Sequence, residues 1–136
     1  MLAALSGVPA LPGQVLAQAP LQRSAGGGVL TRSFQVIDGL EQCLERALAQ
    51  NDAAALRPLL SPVFVLQQPG RDLVTAAGLG ATHALGGARL LHVHETGNTL
   101  VAVLAPNAHP NQLVTDVWQQ AGDGWVLRVR VLPGAS

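Results

Sequence analysis

The residues best suited to chemistry lie in the C-terminal half of the chain. Asp116 stands inside the run Val114-Thr115-Asp116-Val117-Trp118, an acid among strand-forming residues. A strand interior tolerates Asp poorly, so this one needs a partner or a role. Side chains alternate along a strand, which puts Val114, Asp116 and Trp118 on one face. If a three-residue loop follows, the pairing is in even register and Asp116 lies opposite Arg128 or Arg130. A carboxylate beside a guanidinium has its charged form stabilised. That pair would act as a pocket acid or anion anchor, or as a structural ion pair. His92 and His94 alternate with Leu91 and Val93 and so share a face with Leu90. An imidazole beside Asp116 would be a general base. The same two histidines could ligate a metal if Asp116, His83 or Glu95 supplied a third ligand, or they could sit half-buried and hydrogen-bonded in the sheet. We take Asp116 with His92 or His94 as the catalytic candidates and assign neither a metal nor a cofactor.

Composition excludes several classes. The chain has 136 residues, of which 49% are hydrophobic and 12% charged. This is the opposite of the disorder signature and suits one domain. Eight basic residues balance eight acidic ones, leaving no basic surplus to neutralise phosphates and arguing against nucleic-acid binding. Every basic residue is Arg, so no Schiff-base or P-loop lysine exists. The one cysteine, Cys43, excludes an internal disulfide and a cysteine-clustered zinc site. It reads as a small buried hydrophobe. The Gly-rich stretch 78–87 follows no strand into a phosphate-binding helix, so it is not a nucleotide loop.

No charge precedes Arg23, and Val15-Leu16-Ala17 before Gln18 fits a signal peptidase site. Residues 1–17 therefore read as an export signal, or else as part of an N-terminal arm on a cytoplasmic protein. Pro9, Pro12, Gly7 and Gly13 break the stretch too often for a membrane span. Residues 1–30 form this arm and a Gly-rich linker, and residues 31–133 a single domain.

Within the domain, Phe34, Ile37, Leu40 or Glu41, Leu44 and Leu48 recur at helical spacing over residues 34–50. Glu41 and Glu45 read as the opposite, solvent side. Asn51-Asp52 would cap a second helix over 53–60, shortened by Pro58. Residues 63–67 form a strand. Residues 71–87 allow a short helix weakened by glycines. Strands follow at 89–95, 99–105, 112–119 and 125–132, with Gly97 and Gly122 marking hairpins. His83 and His109 fall in Gly/Pro-rich segments and read as exposed. Helices followed by a meander mean α+β, with helices on one face of an antiparallel sheet.

Several of these segments resemble one superfamily. Asn51-Asp52-Ala53-Ala54-Ala55-Leu56, with Leu59-Leu60-Ser61-Pro62-Val63-Phe64-Val65, resembles the second helix and first strand of SnoaL-like, nuclear transport factor 2-like proteins. Gly97-Asn98-Thr99-Leu100-Val101 resembles the next hairpin. Thr115-Asp116-Val117-Trp118 followed by Gly122-Asp123-Gly124-Trp125 is similar to the closing hairpin. The resemblance implies N-terminal helices on a strongly bent antiparallel sheet, forming a cone with a pocket, and places Asp116 at that pocket. Such a pocket would be lined by Phe64, Leu66, Leu90, Leu100, Leu104 and Trp118. Arg128 and Arg130 would be polar points at its wall. The expected function is to bind a small apolar or weakly polar molecule. The alternative is a small acid–base enzyme, of isomerase, dehydratase or hydrolase type, on the same pocket. In even register Trp125, Leu127, Val129 and Val131 share the convex face with Leu113, Thr115 and Val117, which implies a homodimer through the sheet.

Overall fold

The computed structural model describes residues 32–134; the proposed N-terminal arm and signal segment lie outside them. Helix α1 (Arg32–Ala49) buries Ile37, Glu41, Leu44, Ala47 and Leu48. The spacing of four, three and four along Ile37, Glu41, Leu44 and Leu48 keeps one side of the helix against the sheet. Glu41 thus belongs to the buried stripe, contrary to its reading as a solvent-side residue. Cys43 is exposed rather than buried, being one residue off that stripe. Asn51 takes a left-handed φ of 54° at the end of α1, a conformation Asn tolerates. Asp52 then caps helix α2 (Ala53–Leu56), its Oδ1 accepting from the Ala55 N–H at 3.1 Å. Pro58 cuts this helix to one turn and continues it as a 3₁₀ turn, Arg57–Leu59.

Six strands follow: β1 (Leu60–Gln67), β2 (Val74–Thr75), β3 (Ala88–Thr96), β4 (Thr99–Pro106), β5 (Val114–Ala121) and β6 (Gly124–Val131). The segment that allowed a short helix is instead β2 and two 3₁₀ turns, Ala76–Gly78 and Ala81–His83. Gly78 and Gly80 account for this, since glycine is costly inside a helix. The sheet order is β2-β1-β6-β5-β4-β3. Pairing is antiparallel except at β1–β6, which is parallel. The expectation of an antiparallel sheet is corrected at that one pair. It joins strands some sixty residues apart, and no turn sequence announces it.

The core fills the space between α1 and one face of the sheet, where Ile37, Leu44, Phe64, Leu100, Trp118 and Leu127 are all nearly inaccessible. Registers shift at three places: between Leu60 and Val65 of β1, between Leu90 and His92 of β3, and between Val117 and Trp118 of β5 against β6. Extra residues of this kind bend a strand and increase its twist. The four-strand row Val65, Val129, Val117 and Val101 is in direct register and half-buried, on the side of the sheet away from α1.

Candidate functional site

The bulges decide which side chains meet. On β3, Leu90 pairs with Leu104, whereas His92 pairs with Val103, so Leu91 is the extra residue. Leu90 is buried, but His92 and His94 fall on the other face and are exposed. The structure therefore does not bring either histidine to Asp116, because one inserted residue reverses the face of everything after it. His83 is half-buried rather than exposed, with its Nδ1 accepting from the Gly80 N–H at 3.1 Å. His109 is exposed. Among the described residues no group of three His, Cys, Asp or Glu is placed to hold a metal.

On β6 the extra residue is Arg128. Asp116 pairs with Arg130 and Val117 with Val129, but Trp118 pairs with Leu127. The even register holds only as far as Val129. Beyond it Leu127 turns into the core, with Trp125 packed against it, and both leave the outer face where the even register put them. Arg128 turns outward, where its Nη1 donates to the Val63 carbonyl at 2.7 Å.

Arg130 stays inside. Its Nε donates to Asp116 Oδ1 at 2.8 Å and its Nη2 to Oδ2 at 2.7 Å, a two-pronged pair in which Asp116 is fully buried. Nη2 also reaches Glu41 Oε1 at 3.2 Å. Trp118 Nε1 donates to Glu41 Oε2 at 2.9 Å. Two strands and α1 thus converge on a buried cluster of two carboxyl groups, a guanidinium and an indole. Burial pushes the Glu41 pKa up from 4.5 to about 9, and the nearby Asp116 charge pushes the same way, outweighing Arg130 and the Trp118 hydrogen bond. Burial works against the charge on Arg130, but Asp116 and Glu41 hold its pKa above the ordinary value.

A pocket of about 270 Å³ opens beside this cluster. Leu85, Ala88, Leu90 and Leu104 form its apolar wall; Asp38, Glu41, Gln42, Glu45 and Arg46 of α1, with Arg130, supply polar lining, and Ala49 also lies on it. The Leu85 wall is pinned from α1. Glu45 Oε1 accepts from the Leu85 N–H at 2.9 Å, and Oε2 from the Gly86 and Gly87 N–H groups at 2.8 and 3.2 Å. Gly86 and Gly87 have φ of 77° and 97°, a backbone conformation that strains any residue with a Cβ and so favours glycine.

Of the residues expected at the pocket, Leu90, Leu104 and Arg130 line it. Phe64 and Leu66 instead border a void of about 10 Å³, which Arg130 also touches. Leu100 and Trp118 are core residues. Asp116 sits behind Arg130 and reaches the pocket only through it. Glu41 was missed as a site residue, although a carboxylate between Ile37 and Leu44 in an apolar stripe was a usable signal.

The sequence matches no family model and no curated protein. Solved structures do match it in fold. An NTF2-like protein from Cytophaga hutchinsonii is 18% identical, with a TM-score of 0.56 over 78% of this chain and 100% of that one. An NTF2-like protein of unknown function from Silicibacter pomeroyi is 11% identical, with a TM-score of 0.60 over 76% of this chain and 98% of that one. A de novo designed protein with a curved β-sheet is 10% identical, with a TM-score of 0.56 over 74% of this chain and 95% of that one. The chain has the NTF2-like fold, an α+β arrangement of helix on sheet, as the sequence resemblance implied.

The two buried acids should respond differently to neutralisation. Glu41 holds its proton more tightly folded than unfolded. Its contribution to stability is therefore full below about 4.5 and declines as pH rises toward 9. The steepest slope is about 1.4 kcal/mol per pH unit. Glu41→Gln should lose that dependence, melting close to wild type at pH 5 and relatively higher at pH 9. Asp116→Asn should melt lower at every pH, since leaving Arg130 without its counter-charge costs about 3–5 kcal/mol. Thermal melts of both variants from pH 5 to 9 check this.

Proposed function

We propose that the protein is a small-molecule binding domain and that the pocket beside α1 is its site. The observation that carries this reading is the pocket's composition. It sets an apolar wall of Leu85, Ala88, Leu90 and Leu104 against a polar side supplied by α1 and Arg130, and a concave site that combines apolar wall with polar groups is the usual plan of a ligand site. Its volume, about 270 Å³, is just below the ~300–1,000 Å³ typical of drug-sized sites and suits a molecule of one or two rings. Ala49 lies on the lining yet is exposed at the end of α1, so a larger side chain there should fill the pocket without disturbing the core. A thermal-shift screen of uncharged ring compounds should yield binders. Ala49→Trp should weaken them by about tenfold or more while keeping the fold. Binders unaffected by Ala49→Trp would place the site elsewhere.

One observation favours a second reading, an acid–base enzyme on the same pocket. Glu41 lines the pocket and carries a pKa pushed up to about 9, so it is a protonated acid at neutral pH, as a general acid requires. Glu41 then acts as a general acid, where His92 or His94 was expected as a general base, with Asp116 acting only through Arg130. Turnover of the compounds found in the screen is the measurement that separates an enzyme from a binder.

The partner in this reading is a second copy of the chain, docked through the outer sheet face. The aligned valines 65, 129, 117 and 101, and Val63 at 60% exposure, support an apolar contact surface there. Val117→Arg should convert a dimer to a monomer in light scattering with the melting curve little changed. A wild-type monomer at micromolar concentration would end this proposal.

A further inference from the structure

Leu85 borders more than the pocket beside α1. It also lines two clefts beyond that pocket, of about 400 and 480 Å³, and it is the one lining residue common to all three spaces. The sheet floor beneath them is continuous. Leu104 of β4 lines the pocket, Val114 of β5 lines the first cleft, and the two are direct register partners. Side chains so paired stand about 4.5–5.5 Å apart on one face, and both are buried. Leu132 then lines the first cleft and the second. The segment carrying Leu85 is held from α1 and not by the sheet. The N–H groups of residues 85, 86 and 87 all donate to the Glu45 carboxylate. Gly86 and Gly87 lie at positive φ, and glycine crosses to negative φ at little steric cost, so the segment can turn there once the carboxylate lets go.

We infer that the pocket and the two clefts are parts of one elongated site, in which Leu85 is the partition that limits ligand length and Glu45 the positioning residue that holds the partition shut. This inference rests on the binding reading above. With the partition in place, the site takes a compact ring against Leu85, Leu90 and Leu104. With it withdrawn, the same ring can carry an unbranched apolar tail across Leu104 onto Val114 and Leu132. Ligand length, and not the polar lining, is then the property that Glu45 and Leu85 select.

Two uncharged phenyl ketones that differ only in tail length, acetophenone and octanophenone, test this on the full chain. NMR titrations would give both affinities and follow the methyl signals of Leu104, Val114 and Leu132. In the wild type the two ketones should bind within about threefold of each other. In Leu85→Ala and in Glu45→Ala octanophenone should gain about tenfold or more over acetophenone, since burying about two further methylenes suffices for that. Its binding to these variants should move the Val114 and Leu132 signals as well as those of Leu104. Glu45→Gln keeps one acceptor oxygen for the three N–H groups and should fall between Glu45→Ala and wild type. A tenfold preference for octanophenone already in the wild type, or none in Leu85→Ala, would overturn the partition and leave a binding domain. A gain with unmoved Val114 and Leu132 signals would overturn the joined site. A gain in Leu85→Ala but not in Glu45→Ala would remove Glu45 as the residue that holds the partition. If neither ketone bound any of these proteins, the binding reading itself would fall with the inference.

Discussion

A guanidinium under a helix must find its acceptors inside the protein, and the burial of Arg130 organises much of this structure. Asp116 meets it from the neighbouring strand in a two-pronged geometry, and Glu41 meets it from α1. Apolar contacts alone would let α1 slide along the sheet, because they are non-directional. The cluster adds direction: Nη2 fixes Glu41 from one side and the Trp118 indole fixes it from the other. Buried ion pairs of this kind yield little net stability compared with apolar replacements. What this one supplies is position. It sets the rotation of α1 and holds the β5–β6 pairing at the row where Asp116 faces Arg130.

Asp116 facing Arg128 or Arg130 was open in the sequence, but a straight count from the two-residue turn, where Ala121 pairs with Gly124, would set Asp116 opposite Val129; the extra residue Arg128 brings Arg130 there instead. The hairpins at Gly97 and Gly122 announce themselves, and so does the 3.6-residue stripe of α1. Two kinds of feature were not legible. One is the parallel β1–β6 pair, formed late in the chain with no local turn between its strands. The other is the pair of extra residues, Leu91 and Arg128. Neither is a glycine, and neither interrupts the strand-like composition around it. Yet each reverses the faces beyond it: Leu91 sends His92 and His94 out of the interior, and Arg128 brings Leu127 in.

The polar end of the site was half legible for a related reason. Asp116 stood out as an acid in a strand, whereas Glu41 was hidden by its own surroundings. Glutamate is an ordinary residue on a helix surface, and position 40 offered a leucine to take the buried place. The helix turned the other way because Glu41 is the residue that Trp118 Nε1 and Arg130 Nη2 can both reach. Two satisfied donors then outweigh the preference for burying Leu40, which remains only half-covered.

Glu41 and Glu45 lie one helical turn apart and show how surroundings set the role of a side chain. Glu41 faces the sheet, where burial and Asp116 push its pKa up and favour its protonated form. Glu45 sits at the rim, where three successive backbone N–H groups of residues 85–87 close on its two oxygens. Those N–H groups need an acceptor because the glycine conformations there turn them away from any strand partner. In satisfying them, Glu45 holds Leu85 in place as an apolar wall. One helix therefore places one acid in the buried cluster and uses the other to fix the 85–87 segment.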